Sequence, residues 1–290
     1  MTALTLSIAL AGVLLAIWLR GQDAVQNFLI EYPGVTPLPD NAPVGLPAWL
    51  GWQHFLNAFL LVAVVKSALE IRSKKRPPAF WTRNNTGLLT TKKPPTRLGI
   101  YHWFHISVDV LWALNGVIFI VLLFVTGQWM RIVPMSWDVF PNALSSLLRY
   151  ASLDWPTESA WTNYNSLQIL AYFVTVFIAA PIAIKTGLRL SPVWPKEGWM
   201  HRAFPEGVAK KLHTYVLFYF CAFILVHVVL VLATGAQTNL NAMYASTDSE
   251  TSVLGPVLFA GSVVLMVAAW LLAKPSVLKP IAKLSGKVQG

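Results

Sequence analysis

Six histidines occur in the chain, and five of them lie within or at the ends of long apolar segments. The five are His54, His102, His105, His213 and His227, whereas His201 lies in a basic loop. An imidazole is costly in apolar surroundings unless it has a partner, so these positions need a chemical explanation. Neutral imidazole is a common metal ligand, which makes the five residues candidate ligands.

The spacing of these histidines predicts two pairs at two depths. His213 and His227 are fourteen residues apart, which is close to four turns of an α-helix. Both then project from one helix face, roughly 21 Å apart along the axis at 1.5 Å per residue. If successive apolar segments are helices of alternating direction, His227 is level with His54, and His213 is level with His102 and His105.

Two histidines at one depth can occupy both axial positions of a haem iron, which leaves electron transfer as the chemistry of that iron. We therefore predict two haems, one bound by His54 and His227 and the other by His105 and His213. His105 is preferred because it lies deeper in its segment, and His102 is the alternate ligand or a propionate contact. No Cys-x-x-Cys-His motif occurs, so the haems are expected to be non-covalent haem b. The competing hypothesis is a set of packing or hydrogen-bonding histidines.

Asp109 is an acidic residue in the same apolar segment as His105. It follows His105 by four residues, on the same helical face and in an apolar run, where an unpaired carboxylate is expensive. It is either an acceptor for a ligating imidazole, a proton site beside a quinone, or a hydrogen-bond partner of Asn115 or Trp112.

Haem propionates require basic partners near the membrane surface. The candidates are Arg131 on one side and Arg189 and Lys211 on the other. For lysine, extension of the ammonium group to the membrane surface is the alternative explanation.

The elements that must position these residues are apolar segments of about 20 residues, the length that crosses a hydrocarbon layer. Hydrophobic residues make up 56% of the 290-residue chain and charged residues only 12%. The predicted spans are 3–19, 48–70, 101–126, 166–188, 209–234 and 254–273. The predicted fold is an all-α integral membrane protein with six transmembrane helices. Residues 1–20 form the first helix, 45–245 contain a four-helix haem-binding core, and 254–290 form the sixth helix and a basic tail.

Charges are divided between alternate loops, which explains the net charge of +10 by membrane topology and not by nucleic-acid binding. One side carries Arg72, Lys74, Lys75, Arg76, Arg83, Lys92, Lys93, Arg97, Lys185, Arg189, Lys196, Arg202, Lys210, Lys211, Lys274, Lys279, Lys283 and Lys287. The other carries Arg20, Arg131 and Arg149 with Asp23, Glu31, Asp40, Asp138, Asp154, Glu158, Asp248 and Glu250. The positive-inside rule then places both termini in the cytoplasm, the His105 and His213 pair at the inner side and the His54 and His227 pair at the outer side.

The connecting segments give more local expectations. Residues 20–47 are rich in proline and predict an extended outer loop. Residues 127–165 carry four tryptophans and predict an interfacial segment, helical around 142–150, that offers a docking surface for an outer partner. Thr-Gly dipeptides at 126–127, 186–187 and 234–235 predict helix ends. Pro181 predicts a kink or loosened hydrogen bonding within its helix.

Several stretches resemble a known family of membrane cytochromes. Gln53 to Phe59 resembles the first haem-binding helix of the cytochrome b subunits of formate dehydrogenases and nickel-iron hydrogenases, and Lys211 to Gly235 resembles their double-histidine helix. His105 to Gly116, Trp129 to Arg131 and Ser136 to Asn142 are similar to an actinobacterial branch of cytochrome b561-like proteins. The resemblance covers roughly 45–245. It implies a bacterial plasma membrane, a quinone pool and, in this branch, an outer-facing molybdopterin oxidoreductase.

The function predicted from these features is a di-haem cytochrome b, in contact with membrane lipid, that transfers electrons between the quinone pool and a redox partner subunit on the outer face. Whether the chain is itself an enzyme is left open. Two alternatives remain: a proton-coupled transporter that uses Asp109, Lys66 and the histidines, and a self-contained transmembrane reductase. The absence of internal repeats disfavours the first, and the absence of a flavin or nicotinamide fingerprint disfavours the second.

Overall fold

The computed structural model describes residues 2–73, 76–86, 90–91, 94–155 and 160–290. Lys74, Lys75, Lys92, Lys93 and Glu158, which contribute to the predicted charge distribution, lie outside the described residues.

The described chain is mostly helical. The helices are α1 (Thr2–Arg20), α2 (Asp23–Glu31), α3 (Ala48–Ser73), α4 (Ile100–Val125), α5 (Val139–Ala151), α6 (Ser166–Phe173), α7 (Ala180–Leu190), α8 (Trp199–Ala203), α9 (Glu206–Ala233), α10 (Ala236–Ala245), α11 (Leu254–Leu272) and α12 (Pro275–Lys283). A π-helical turn at Val174–Ala179 joins α6 to α7, and a 3-10 turn covers Gln128–Arg131.

Five helices are long and apolar enough to cross a membrane: α3, α4, the continuous helix Ser166–Leu190, α9 and α11. They correspond to five of the six predicted spans and define a multi-pass membrane protein. Their outward faces are apolar, as lipid contact requires. On α4, Val110, Leu114, Val117 and Val121 form an exposed stripe.

The first predicted span is part of a bent pair of helices, in which Leu4–Arg20 and Asp23–Glu31 meet at 80°. The expectation of an extended segment over residues 20–47 is therefore wrong for residues 23–31. The prolines of this region begin only at Pro33. The preceding stretch is free to form a helix, with Asp23 in its first turn and Leu29 buried.

The helix Ser166–Leu190 departs from regular α geometry before Pro181, as predicted. Proline has no N–H to donate to the carbonyl four residues earlier, and the π-helical turn Val174–Ala179 ends just before it. Gly127 and Gly235 follow the ends of α4 and α9 and have positive φ, as expected of helix ends. The prediction of a helix end at Thr186 and Gly187 is wrong, because the helix continues to Leu190.

A small antiparallel sheet, which was not predicted, accompanies the helices. Its strands are β1 (Phe80–Arg83), β2 (Leu98–Gly99) and β3 (Gly286–Gln289), in the order β2-β1-β3. Phe80 pairs with both Gly99 and Gln289. The indole Nε1 of Trp81 donates to the Ala282 carbonyl at 3.1 Å. Around the sheet lies a small core of Ala79, Ile100, Tyr101, Leu278 and Ala282.

The chain divides into two compact units. The first contains residues 1–48, 121–181 and 220–256, and the second contains 49–120, 182–219 and 257–290. In the first unit, the predicted helix around 142–150 is present as α5. Its Asn142 Oδ1 accepts from the Gly34 N–H at 2.8 Å, and its Ser146 hydroxyl donates to the Gly34 carbonyl. The second unit contains the sheet and every histidine of the chain except His227.

Candidate functional site

His105 on α4 and His213 on α9 lie together in the second unit. Their ring centres are 6.2 Å apart and their planes are inclined at 79°. Two imidazoles that bind one metal from opposite sides, through bonds of about 2 Å, have ring centres roughly 6 Å apart. The observed separation is compatible with this arrangement.

A serine of α3 fixes the orientation of His105. The Ser67 side chain is fully buried, and its Oγ lies 2.8 Å from Nδ1 of His105. The same hydroxyl donates to the Val64 carbonyl at 2.8 Å. If that donation uses the hydroxyl hydrogen, His105 supplies the hydrogen of its contact with Ser67, which places a proton on Nδ1 and the lone pair on Nε2.

A threonine of α7 contacts Nδ1 of His213, as Ser67 contacts Nδ1 of His105. Thr186 Oγ1 lies 2.9 Å from Nδ1 of His213, and it donates to the Ile182 carbonyl at 2.7 Å. On the same condition, His213 also carries its proton on Nδ1 and its lone pair on Nε2. A β-carbon built on Gly187 would lie 3.7 Å from the His213 ring. Thr186 and Gly187 thus lie within α7 and pack against His213, and they do not mark the end of α7.

The two hydroxyls contact the Nδ1 atoms, so the Nε2 atoms face away from them, and Nε2 of His105 lies 3.4 Å from Asp109 Oδ2. Metal-binding histidines commonly donate their second N–H to a neighbouring group that fixes the tautomer and the ring orientation. Among the described residues, no group of three or more His, Cys, Asp and Glu side chains could hold a metal ion.

His102 occupies a different position from His105. It is exposed near the start of α4, where a β-carbon on Gly99 would lie 3.5 Å from its Nδ1. His105 is half-buried beside Ser67, so the geometry favours His105 as the partner of His213.

Asp109 faces Nε2 of His105 and not Nδ1. Its Oδ2 lies 3.4 Å from Nε2, and about a third of the side chain is exposed. Ser67 already occupies the Nδ1 side, so Asp109 does not act as the acceptor that orients this imidazole. The geometry places it beside His105, on the Nε2 side of the ring.

The predicted outer ligands belong to different units, and their pairing stays a prediction. His227 on α9 stacks on Phe223, with ring centres 5.5 Å apart and planes 6° apart. Tyr172 meets the His227 ring edge-on at 6.0 Å. His54 is half-buried on α3 beside the buried Gln53. His201, predicted to be a loop residue, lies in the short helix α8.

Arg131 is 1% exposed in the first unit and is surrounded by backbone carbonyls. Its Nη1 donates to the carbonyls of Pro43, Gly45 and Trp161, and its Nη2 donates to that of Ala160. Nε has no hydrogen-bond partner among the described residues. Burial lowers the pKa of Arg131, an effect that the neighbouring Tyr164 partly offsets. These contacts give Arg131 a structural role in the first unit.

The two cationic candidates of the second unit differ in their surroundings. Arg189 is buried, donates from Nε to the Phe204 carbonyl at 2.6 Å and lies 5.7 Å from the Trp194 ring. Lys211 is exposed on the first turns of α9. Arg189 thus holds the segment that precedes α9, and Lys211 is the more accessible of the two.

Ser67, Thr186 and Glu70 were not predicted as site residues, and Lys66 was named only for the transporter alternative. Lys66 Nζ lies 2.6 Å from Glu70 Oε1, and it lies 5.2 Å from the Trp270 ring. The i, i+4 spacing of Lys66 and Glu70 on one helix was the sequence signal for the ion pair.

Comparison of the chain with family models, with curated proteins and with solved structures finds no match in any of the three.

Proposed function

We propose that the chain is a di-haem b-type cytochrome that transfers electrons within a bacterial plasma membrane, between the quinone pool and a partner oxidoreductase. The observation that carries the proposal is the pair His105 and His213, each with its Nδ1–H directed at a buried hydroxyl. When bound there, haem would supply a one-electron redox centre. The chain's own residues would position this centre. Ser67 and Thr186 orient the two imidazoles, and the apolar helices limit access of water.

The proposal includes a second haem held by His54 and His227, and a four-helix core made of α3, α4, the helix Ser166–Leu190 and α9. It also includes six spans, with α1 as the first, cytoplasmic termini and an outward-facing partner subunit. The uneven distribution of charge between alternate loops supports this orientation. Two redox centres at different depths allow electrons to cross a low-dielectric layer in short steps.

Single histidine replacements test the assignment of ligands. We expect His105→Ala and His213→Ala each to reduce the haem content of the purified protein from two to one per chain, measured as pyridine haemochrome against protein concentration. His102→Ala and His201→Ala are the matched controls and should retain two. Loss of haem in His102→Ala with retention in His105→Ala would reverse the assignment on α4.

A proton-coupled transporter is the second candidate. It is favoured by ionisable residues within the spans of the second unit: Asp109 lies 3.4 Å from His105, and Lys66 pairs with Glu70. Such residues often form proton pathways. This function needs no haem, so a haem-free protein that carries protons when reconstituted in liposomes would favour it over the cytochrome.

A further inference from the structure

A groove of about 620 Å³ opens on the second unit, away from the paired histidines. Its floor is formed by Trp103, Ile106 and Ser107 of α4, and its walls include Trp81 of β1 and Leu284 after α12. On the α4 helix, at about 100° per residue, Trp103 and Ser107 project from roughly the opposite side to His105, and Ile106 is about 100° away from it. The groove is therefore separate from the candidate metal site.

The groove has an apolar part and a polar part. Its floor belongs to the first two turns of a membrane-spanning helix that begins at Ile100, and Ile106 lies about 9 Å along the axis from that residue at 1.5 Å per residue. Its rim carries Arg83, Asn84 and Ser285. A ligand that fits both parts has an acyl-like chain and a polar headgroup.

One cation, Arg83, lines the groove, and two more, Arg97 and Lys287, lie on or against the neighbouring strands. Arg83 Nη2 donates to Asn85 Oδ1 and Thr91 Oγ1. The Arg97 guanidinium lies 4.0 Å from the Phe80 ring on β1, and Lys287 of β3 pairs with Thr82 of β1. None of the described residues that line the groove is acidic. Cationic side chains at a membrane surface attract anionic lipid headgroups.

We propose that this groove binds one anionic phospholipid, with an acyl chain against Trp103 and Ile106 and the phosphate at Arg83. The C-terminal strand β3 would then complete a lipid site, because it pairs with the strand that carries Arg83. The proposal does not depend on haem, and it applies equally to a transporter.

The test is native mass spectrometry of the detergent-purified full chain with added phosphatidylglycerol or phosphatidylcholine of identical acyl chains. We expect one phosphatidylglycerol per chain to be retained under conditions that remove phosphatidylcholine. Arg83→Gln should weaken phosphatidylglycerol binding about fivefold through loss of one interfacial charge. Arg202→Gln, an exposed arginine that does not line the groove, should leave binding unchanged.

A second pair of variants tests the apolar floor. Ile106→Trp fills the groove and should reduce phosphatidylglycerol retention, whereas Val117→Trp, exposed further along α4, should not. If Ile106→Trp does not fold, the phosphatidylglycerol binding of Arg83→Gln decides the test. Equal retention of the two lipids, equal binding by Arg83→Gln and Arg202→Gln, or displacement of the lipid by a neutral short-chain quinone would each overturn the proposal.

Discussion

A buried hydroxyl beside each imidazole determines which ring nitrogen is left for a ligand. The Ser67 and Thr186 hydroxyls each donate a hydrogen bond to a helix carbonyl. Each hydroxyl oxygen is then an acceptor for the Nδ1–H of its histidine. The sites are chemically equivalent although one hydroxyl comes from α3 and the other from α7. This equivalence is expected if both imidazoles bind the same metal through Nε2.

Removal of the hydroxyl from Ser67 should weaken cofactor binding without removing a ligand. We expect Ser67→Ala, and likewise Thr186→Val, to lower haem affinity about 10- to 100-fold, because the imidazole loses the partner that fixes its tautomer and orientation. The measurement is haem titration into the apoprotein. Ser107→Ala is the control, since Ser107 lies on α4 and donates to the Trp103 carbonyl only. Equal affinity in Ser67→Ala and Ser107→Ala would mean that the hydroxyl plays no part.

The sequence predicts the histidines of this pair but not their hydroxyl partners. The alternating direction of successive helices places His213 level with His105, because both lie near the starts of their apolar segments. Ser67 and Thr186 are assigned by packing between helices, which no local pattern encodes. Thr186 and Gly187 also match the local pattern of a helix end, and the contact with His213 is visible only in the folded chain.

Gly286 shows how an element far along the chain is joined to the sheet. A β-carbon at this position would overlap the Thr82 carbonyl oxygen and Trp81 Nε1. We expect Gly286→Ala to separate β3 from β1 and to expose the C-terminal segment to limited proteolysis, followed by mass spectrometry. Gly207→Ala is the control, because its β-carbon would meet nothing within 4 Å and alanine favours the helix. Equal resistance to proteolysis in both variants would contradict the role of β3.

Arg131 joins loops of the first unit through four carbonyl oxygens. Its replacement by methionine would leave those buried acceptors without a donor, and we expect a loss of about 3 kcal/mol in the free energy of unfolding. Arg149→Met, in the same unit, should cost much less. Thermal unfolding in detergent measures both. An unchanged stability together with a shifted haem midpoint potential would instead identify Arg131 mainly as a propionate partner.

Hydropathy is sufficient to locate the long helices, because lipid leaves the backbone few other structures. The sheet was not predicted, since its strands are very short and β1 and β3 lie far apart in the sequence. The helix α2 was missed because the prolines that follow it dominate the composition of residues 20–47. Short elements of this kind depend on contacts that are distant in the sequence.

The orientation proposed for the whole molecule rests on its charges and can be tested by labelling. In a Cys221→Ser background, which removes an exposed native thiol, we expect Glu250→Cys to react with a membrane-impermeant maleimide in intact cells. Lys196→Cys should react only after permeabilisation, because its loop lies on the basic side. The reverse pattern would invert the assigned topology.

The central claim is that the chain holds two b-type haems, and the most direct test is a haem count on the unmodified protein. The protein should be produced with ample haem, purified in detergent, and examined by a dithionite-reduced minus oxidised spectrum and by pyridine haemochrome assay. Two haem b groups per chain are expected. Protein that is folded, monodisperse and free of haem would contradict the cytochrome assignment and favour the transporter.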